Sequence, residues 1–529
     1  LSDSTSAQVP TTGTTPVSHP EKPKNNVPVV VTCLMLGMLL SSLGQMIFST
    51  ALPTVVGELG GASHMSWVIT AFMLTMTIGM PVYGKLGDQV GRKPLYLGAI
   101  VLFLIGSVVG ALSQNMATMI AARAIQGLGG GGLMVLSQAI MADVVTARDR
   151  GKYMGLMGGI FGLSSILGPL LGGFFTDGPG WRWALWFNIP LGLITLAIAT
   201  FALKLPRRHG QATLDLWGTV TMAIATTCLI LTVTWGGRDY AWDSTVILSL
   251  IATTIVTGAV FVFIELRHAN PLIPMTLFTR RNFSLTTVSG IIMGVAMFGT
   301  LSYLPTYIQM VHNLSPTEAG LMMIPMMVGM IFTSTVVGQA VSRSGKYKWY
   351  PVIGMVIMSV GLFFIGQLHA HDTLVHLGVV EFVIGIGLGM TAQTLVLIVQ
   401  NTFPLRMVGT ATASNNFFRQ IGGALGAAIV GSLFMHRVTD ELQQNLPGAI
   451  KQLGPEGAKY AEMFSHGGTG SLTPALVQQI PDALREVIIN GYNDALVPIL
   501  GSIAPLAIIA AIVLAFVRHE RLKTTLERD

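Results

Sequence analysis

In a chain of 529 residues with 24 Asp and Glu and 30 Lys and Arg, the residues that could do chemistry are the few charges inside long apolar stretches. Glu381 stands in HLGVVEFVIGIG, Arg123 in AARAIQGLGGGG, and Arg419 directly after NNFF. A charge at membrane depth is costly unless it faces a polar cavity or has a partner, so each is a functional candidate. Burial disfavours the charged form of a carboxyl, which suits Glu381 to take up and release a proton. Glu381 falls about seven residues inside its apolar run, or roughly 10 Å from the outer surface at 1.5 Å per residue. Arg419 lies at a depth that would let the two long side chains meet, so a structural ion pair is the competing reading, and a pair broken by substrate could serve both roles. On a helical wheel Glu381 shares a face with Gly385 and Gly389, while Gln393 and Gln400 lie about 100 to 120° away.

The same inventory excludes most enzymes. There is no HExxH, no CxxC and no P-loop, and GLGGGG at Gly127 to Gly132 is inside an apolar run rather than after a strand, so its phosphate-loop look is spurious. We expect no metal and no cofactor, and a proton gradient rather than ATP as the energy source. The two cysteines, Cys33 and Cys228, sit in apolar runs, where free Cys behaves as a small hydrophobe, so no disulfide is expected. The net charge of +6 and pI near 9.3 do not imply nucleic acid, because the basic residues cluster in short loops between apolar runs and report topology.

The elements that must position these charges are membrane helices. Hydrophobic residues make up 51% of the chain, charged residues 10%, and mean hydropathy is +0.65, against roughly 25% charged residues in soluble domains. Spanning the hydrocarbon core takes about 20 apolar helical residues. About fourteen such runs occur, near 28 to 56, 66 to 84, 95 to 113, 117 to 140, 151 to 175, 183 to 203, 215 to 235, 244 to 265, 284 to 311, 317 to 341, 351 to 369, 374 to 402, 409 to 434 and 494 to 517. Basic clusters occupy alternate connections, among them Lys85, Arg92 and Lys93, then Arg148, Arg150 and Lys152, then Lys204, Arg207 and Arg208, and finally Arg518, Arg521 and Lys523. The positive-inside rule then puts both termini in the cytoplasm. The expected division is a disordered cytoplasmic tail (1–27), a six-helix bundle (28–203), two intervening transmembrane helices with cytoplasmic linkers (204–283), a second six-helix bundle (284–517) and a cytoplasmic tail (518–529). Residues 436–493 form an external loop, hairpin or pair of amphipathic helices within the second bundle. The tail of 1–27 is rich in Ser, Thr and Pro and lacks the charged start and apolar core of a signal peptide.

An internal echo joins the two bundles. GKLGDQVGR, Gly84 to Arg92, follows the second run, and GQAVSRSGK, Gly338 to Lys346, follows the second run of the later six-helix block. Repeated bundles with a substrate site between them are a recurring transporter plan. In the first copy, glycines permit close helix approach, Asp88 can meet the positive end of a helix dipole, and Arg92 can bridge acidic or backbone partners. Gly155, Gly158, Gly159 and Gly162 make a small-residue packing face in the fifth run, which continues into GLSSILGPLLGG, where Pro169 bends a helix. WRWALWFNIPLG, Trp181 to Gly192, places aromatics at the outer interface.

These strings resemble the major facilitator superfamily, and within it the fourteen-span drug/proton antiporter branch. GKLGDQVGRKP is similar to the superfamily's signature loop, in which Gly84, Asp88, Gly91 and Arg92 would latch the outward-facing state; Gln89 stands where that loop usually has Arg. RAIQGLGGGG resembles the fourth-span motif whose Arg, here Arg123, is associated with proton transfer. GLSSILGPLLGG, with Gly168, Pro169, Gly172 and Gly173, looks like the antiporter motif of exporters, with Ser164 in place of a usual Gly. Similarity continues through LDLWG, ELRHANPLIPMTLF and YLPTYIQM and covers most of residues 28 to 434. LGQMIFSTALPTVVGELGG, from Leu43, matches the branch signature except that Gly44 replaces an Asp tied to proton coupling or cation binding, which implies coupling elsewhere or a substrate that is not cationic.

The resemblance implies an all-α membrane protein with the major facilitator fold, not an enzyme, that expels amphipathic small molecules in exchange for protons by alternating access. Candidate proton-coupling residues are Glu381, Arg123, Arg419 and Asp88. A substrate cavity would be lined by Gln45, Met46, Phe48, Tyr303, Tyr307, Gln393, Asn415, Asn416 and Phe417, from family positions and from their polarity amid apolar helices. Methionines adapt to bulky ligands, and the chain has 29. Expected partners are amphipathic small molecules or lipids, protons and membrane lipids, with no nucleic acid, for a monomer in a bacterial cell membrane. Rival readings are export of an endogenous lipid, siderophore or metabolite, and a sensor or scaffold that kept the fold.

Overall fold

A computed structural model describes residues 26–60, 64–205, 213–237, 239–454, 460, 477 and 479–522. The expected tail before residue 26, Arg207, Arg208 and Lys523 lie outside the described residues. Among the described residues eighteen α-helices follow one another. The first set is α1 (Val27–Met46), α2 (Phe48–Leu59), α3 (Met65–Val90), α4 (Arg92–Ala111), α5 (Met116–Val144), α6 (Ala147–Asp177), α7 (Arg182–Trp186) and α8 (Asn188–Ala202). Two helices intervene, α9 (Leu216–Trp235) and α10 (Thr245–Arg267). The last set is α11 (Arg281–Val311), α12 (Pro316–Met322), α13 (Ile324–Ser344), α14 (Trp349–Ile365), α15 (Leu374–Thr402), α16 (Leu405–Gln452), α17 (Asp482–Gly501) and α18 (Ala504–Ala515). Among the described residues there is no named strand. By length and composition thirteen stretches can cross a membrane, and the shorter apolar helix α14 adds a further candidate.

Local chemistry sets the ends. Asn115, Thr146, Asp215, Ser244, Ser315 and Thr373 each accept an N–H of the following first turn with the side chain, which satisfies donors a helix start leaves open. At its far end α13 stops on Gly345 at φ 71°, a left-handed cap that glycine adopts without a Cβ clash.

Four expectations change. The first run is two helices joined at Ile47, which keeps helical angles, and the run 317 to 341 is divided at Met323, two residues before Pro325, whose ring nitrogen cannot donate. The expected loop at Gly84 is mostly helix: α3 continues to Val90, and Gly91 alone makes the turn, at φ 104°. The run ending near 434 continues as helix to Gln452, because Val438, Leu442, Leu446 and Ala449 recur on one buried face at helical spacing. With the start of α17 it forms a helix pair, in which Leu442 and Leu446 join Leu484 and Ile488 in one apolar cluster; most residues between 455 and 478 lie outside the description.

Small residues let backbones touch where the two sets meet. A Cβ on Gly155 of α6 would stand 2.2 Å from the Ser334 carbonyl of α13, and one on Gly338 would stand 2.2 Å from the Gly151 carbonyl. Outward faces carry exposed Phe201, Trp217, Ile255, Val256, Phe263 and Leu266, the apolar surface that lipid rather than water demands. At one end of α9 and α10, Trp67 of α3 stacks edge-on with Trp235, and Trp242 donates to Ser432 of α16, so the inserted pair touches both sets.

Candidate functional site

The end of the molecule that carries the basic clusters is sealed by backbone and charge. Asp88, at the last turn of α3, accepts the Gly409 N–H at 3.1 Å, the Thr410 N–H at 2.7 Å and the Thr410 hydroxyl at 2.9 Å. These groups belong to the early turns of α16, where exposed N–H groups and the helix dipole favour an anion. Arg92, 2% exposed, completes the knot: it pairs with Asp88 and with Asp143 of α5, each at 2.7 Å, and donates to the Ala139 and Leu405 carbonyls. Gly91 turns the chain so that both charges point into one junction, and Gly84 admits α16, since a Cβ there would lie 2.3 Å from the Ala413 Cβ. Gln89 donates to the Thr213 carbonyl at 3.2 Å, which ties α3 to the segment leading into α9.

The echo Gly338 to Lys346 occupies the mirrored seam with the opposite chemistry. Arg148, at the start of α6, donates to the Ser342 and Arg343 carbonyls at 3.0 and 2.8 Å, so a cation meets the C-terminal end of α13. Deeper in, Gln400 donates to the Gln138 carbonyl at 3.0 Å and Asn416 to the Gln138 side-chain oxygen at 2.7 Å. Gln138 belongs to the first helix set, Gln400 and Asn416 to the second.

Above these layers lies a central cavity between the two sets, about 40 Å³ in volume. That is room for a water or two, far less than a drug-sized ligand needs. Gln45 and Gln393 line it, with Ser334, Arg419 and Gln420, five methionines and Phe161 and Phe298. The other expected cavity residues are placed elsewhere. Met46 packs against Gly168 of α6, where a Cβ would meet its Cβ at 2.5 Å; Phe48 lies under Arg123; Tyr303 stacks on Phe434 and Tyr307 donates to Asn493, both within the second set. Asn415 approaches Thr287, Asn416 belongs to the amide seam, and Phe417 packs with Phe283 and Phe403. Gly172 is buried along α6, and a Cβ on Gly173 would point into open space.

The intramembrane charges are not brought together. Arg123 lies over the Phe48 and Phe72 rings, 4.5 and 4.3 Å from their centroids, and donates to the Val68 carbonyl and to Gln126. Those partners are neutral, and one terminal guanidinium nitrogen is buried without a hydrogen-bond acceptor among the described residues. Glu381 is fully buried and neither carboxyl oxygen has a hydrogen-bond partner among the described residues. It stands on α15 between Gly378, which approaches Pro325, and Gly385, which approaches the Met326 carbonyl, so it belongs to the α13–α15 interface. The expected pair with Arg419 is not formed, because the glycine face that carries Glu381 turns toward α13 while Arg419 turns into the cavity. Next to Gly44, Phe103 and Phe72 occupy the space, the Phe103 ring 2.7 Å from where a Cβ would be.

With the helix sets, the Asp88 contact and the cavity described, comparison with known proteins identifies the family. The model of the Major Facilitator Superfamily matches residues 34–427. The chain belongs to the major facilitator superfamily. It is 33% identical over 483 residues to the multidrug transporter protein MdtP of Bacillus subtilis, covering 90% of this chain and 89% of that protein. An uncharacterized transporter of this superfamily from Mycobacterium tuberculosis is 37% identical over 469 residues, covering 88% of this chain; the chain spans 66% of that relative's length. Among solved structures, the human organic anion transporter MFSD10 aligns at a TM-score of 0.61 over 92% of this chain with 16% identity, a likeness that shows the fold alone. The family match and the apolar helices together make this a multi-pass membrane protein of that superfamily.

Sequence reasoning missed Asp143, Gln138 and Gln420. Their signal was a polar side chain inside or at the end of an apolar run, the reasoning applied to Arg123 but not extended to amides.

Proposed function

We propose that the protein expels amphipathic small molecules across a cell membrane in exchange for protons, by alternating access between its two six-helix bundles. On this reading the basic end faces the cytoplasm, both termini lie there, and the described conformation is closed on that side. The observation that carries it is the Asp88 junction, which joins α3 of one bundle to the start of α16 of the other directly beneath a central cavity. Charge-assisted hydrogen bonds of this kind are strong yet few, which suits a contact that must break once per cycle. The Met46–Gly168 approach beside Pro169, in the string that resembles the antiporter motif, supports export. The names of the multidrug relatives support an amphipathic cargo.

Glu381 is the proton carrier in this scheme. A carboxyl buried without a hydrogen-bond donor is held in its neutral form, and it can release its proton only when the α13–α15 interface admits water or charge. The test is uptake of a fluorescent amphipath into inverted proteoliposomes, with and without an imposed proton gradient, for wild type and Glu381→Gln. Gradient-driven accumulation lost in the variant is the expected result. Accumulation that ignores the gradient would sink the coupling, and unchanged coupled flux in the variant would remove Glu381 from it.

A further inference from the structure

We infer that the central cavity takes an amphipathic anion, with Arg419 as the partner of its headgroup; this deepens the transport reading and rests on the cavity being the substrate site. Among the described residues Arg419 is the one ionisable side chain lining the cavity. It is 7% exposed, and its guanidinium makes no ion pair or hydrogen bond among the described residues. An arginine has five donors and cannot shed its proton in a protein, so burial leaves a charge that needs an opposite one.

Among the described residues no Asp or Glu lines the cavity. Glu381 stands eight residues before Gly389, the α15 residue that borders the cavity, which is about 12 Å along the helix, and it faces α13. At Gly44 the ring of Phe103 fills the place of a side chain. The missing countercharge is therefore left to the ligand. Gln420, beside Arg419, has a buried amide nitrogen without an acceptor, a second donor for the same oxygen atoms. Around these two groups Met38, Met134, Met293, Met297 and Met330 form a deformable apolar wall for a body of variable shape. A carboxylate, sulfonate or phosphate on an apolar skeleton meets Arg419, the Gln420 amide nitrogen and the methionine wall, and a protonated oxygen or N–H elsewhere on the skeleton would serve the buried side-chain oxygen of Gln393, which has no donor among the described residues.

The experiment measures binding to the purified full-length protein in detergent, by quenching of tryptophan fluorescence, of three probes with one aromatic skeleton ending in a carboxylate, a primary amide or a quaternary ammonium. Wild type should bind the carboxylate at least tenfold tighter than the ammonium. In Arg419→Gln that preference should vanish while the amide still binds, which shows that the variant is folded; Arg419→Lys should keep part of it. Equal binding of the three probes, an ammonium preference, or a carboxylate preference that survives Arg419→Gln overturns the inference. Competition separates two sources of such a headgroup: phosphatidylglycerol that displaces the carboxylate from wild type supports an anionic lipid, and failure to displace it supports a free amphipathic acid. Gradient-driven flux of the amide probe is followed in parallel. Flux without an anion preference overturns only the present inference, whereas an anion preference without flux upholds it and overturns the transport reading.

Discussion

Asp88 illustrates how much one side chain does at the seam. It receives three donors from α16 and the Arg92 guanidinium, and hydrogen bonds to a charged group are worth about 1.5–3 kcal/mol each. Asp88→Asn keeps the size but turns an amide N–H toward donors, so the closed basic end should weaken by about 2 kcal/mol or more. The expected outcome is a tenfold or greater fall in transport with normal insertion; wild-type flux would remove Asp88 from the latch. Arg92→Met removes the cation that pairs with both Asp88 and Asp143, and loss of one partner of a buried pair costs about 3–5 kcal/mol. Its apparent Tm in detergent should fall clearly. The kind of contact each makes, an acid at a helix start and an arginine bridging acids and carbonyls, was legible from the residue types in this loop. Arg123 and Glu381 were readable only as anomalies, since neither their neighbours nor the failure of Glu381 to meet Arg419 is encoded in local pattern.

Among elements, α3, α6, α13 and α16 carry the seams, and their glycines set how closely they approach. Gly84→Val should hold α3 away from α16, because even a Cβ meets Ala413 at 2.3 Å and the Gly409 carbonyl at 2.7 Å. A cysteine placed at Thr410 should then react faster with a membrane-impermeant thiol reagent applied from the basic side. No change in rate would show that the seam absorbs the bulk. A different tie holds α2: Glu58 accepts from Trp181 and Arg182, and these bonds hold its carboxyl below the ordinary value of 4.5. The lowered value means that the tie is fully present above the ordinary carboxylate range and is lost as pH falls through the depressed one. Glu58→Gln should therefore lower the apparent Tm slightly at pH 7 and by progressively less as the pH is taken down below the ordinary carboxylate value, which paired melting curves will check; both partners are substantially exposed, so the effect is small. Run length and composition predicted that these helices exist. The divisions at Ile47 and Met323 and the reach of α16 to Gln452 were not evident, because apolar composition measures burial and not hydrogen-bond continuity.

At the scale of the whole molecule, the two bundles meet at the basic end through opposed chemistries, an acid on a helix start at Asp88 and a cation on a helix end at Arg148. If access alternates, both seams must part in each cycle. Cysteines at positions 149 and 342, whose native side chains meet at 3.4 Å, should allow a short thiol cross-linker to stop transport, with recovery on reduction. Continued flux in the cross-linked protein would show that α6 and α13 do not separate. The sequence by itself determined that the chain is a many-span helical membrane protein, which end carries the basic loops, and which strings mark the superfamily, because apolar length, charge placement and glycine spacing act within a few turns of chain. Only the tertiary structure decided that Gln45 and Gln393 share a cavity with Arg419 and Gln420, while Tyr303, Tyr307 and Phe417 pack elsewhere. It also decided that Glu381 lies on the stretch of α15 that packs against α13. The physical reason is rotation about each helix axis: a polar residue's depth can be read from its run, but the face it presents is set by neighbouring helices hundreds of residues away.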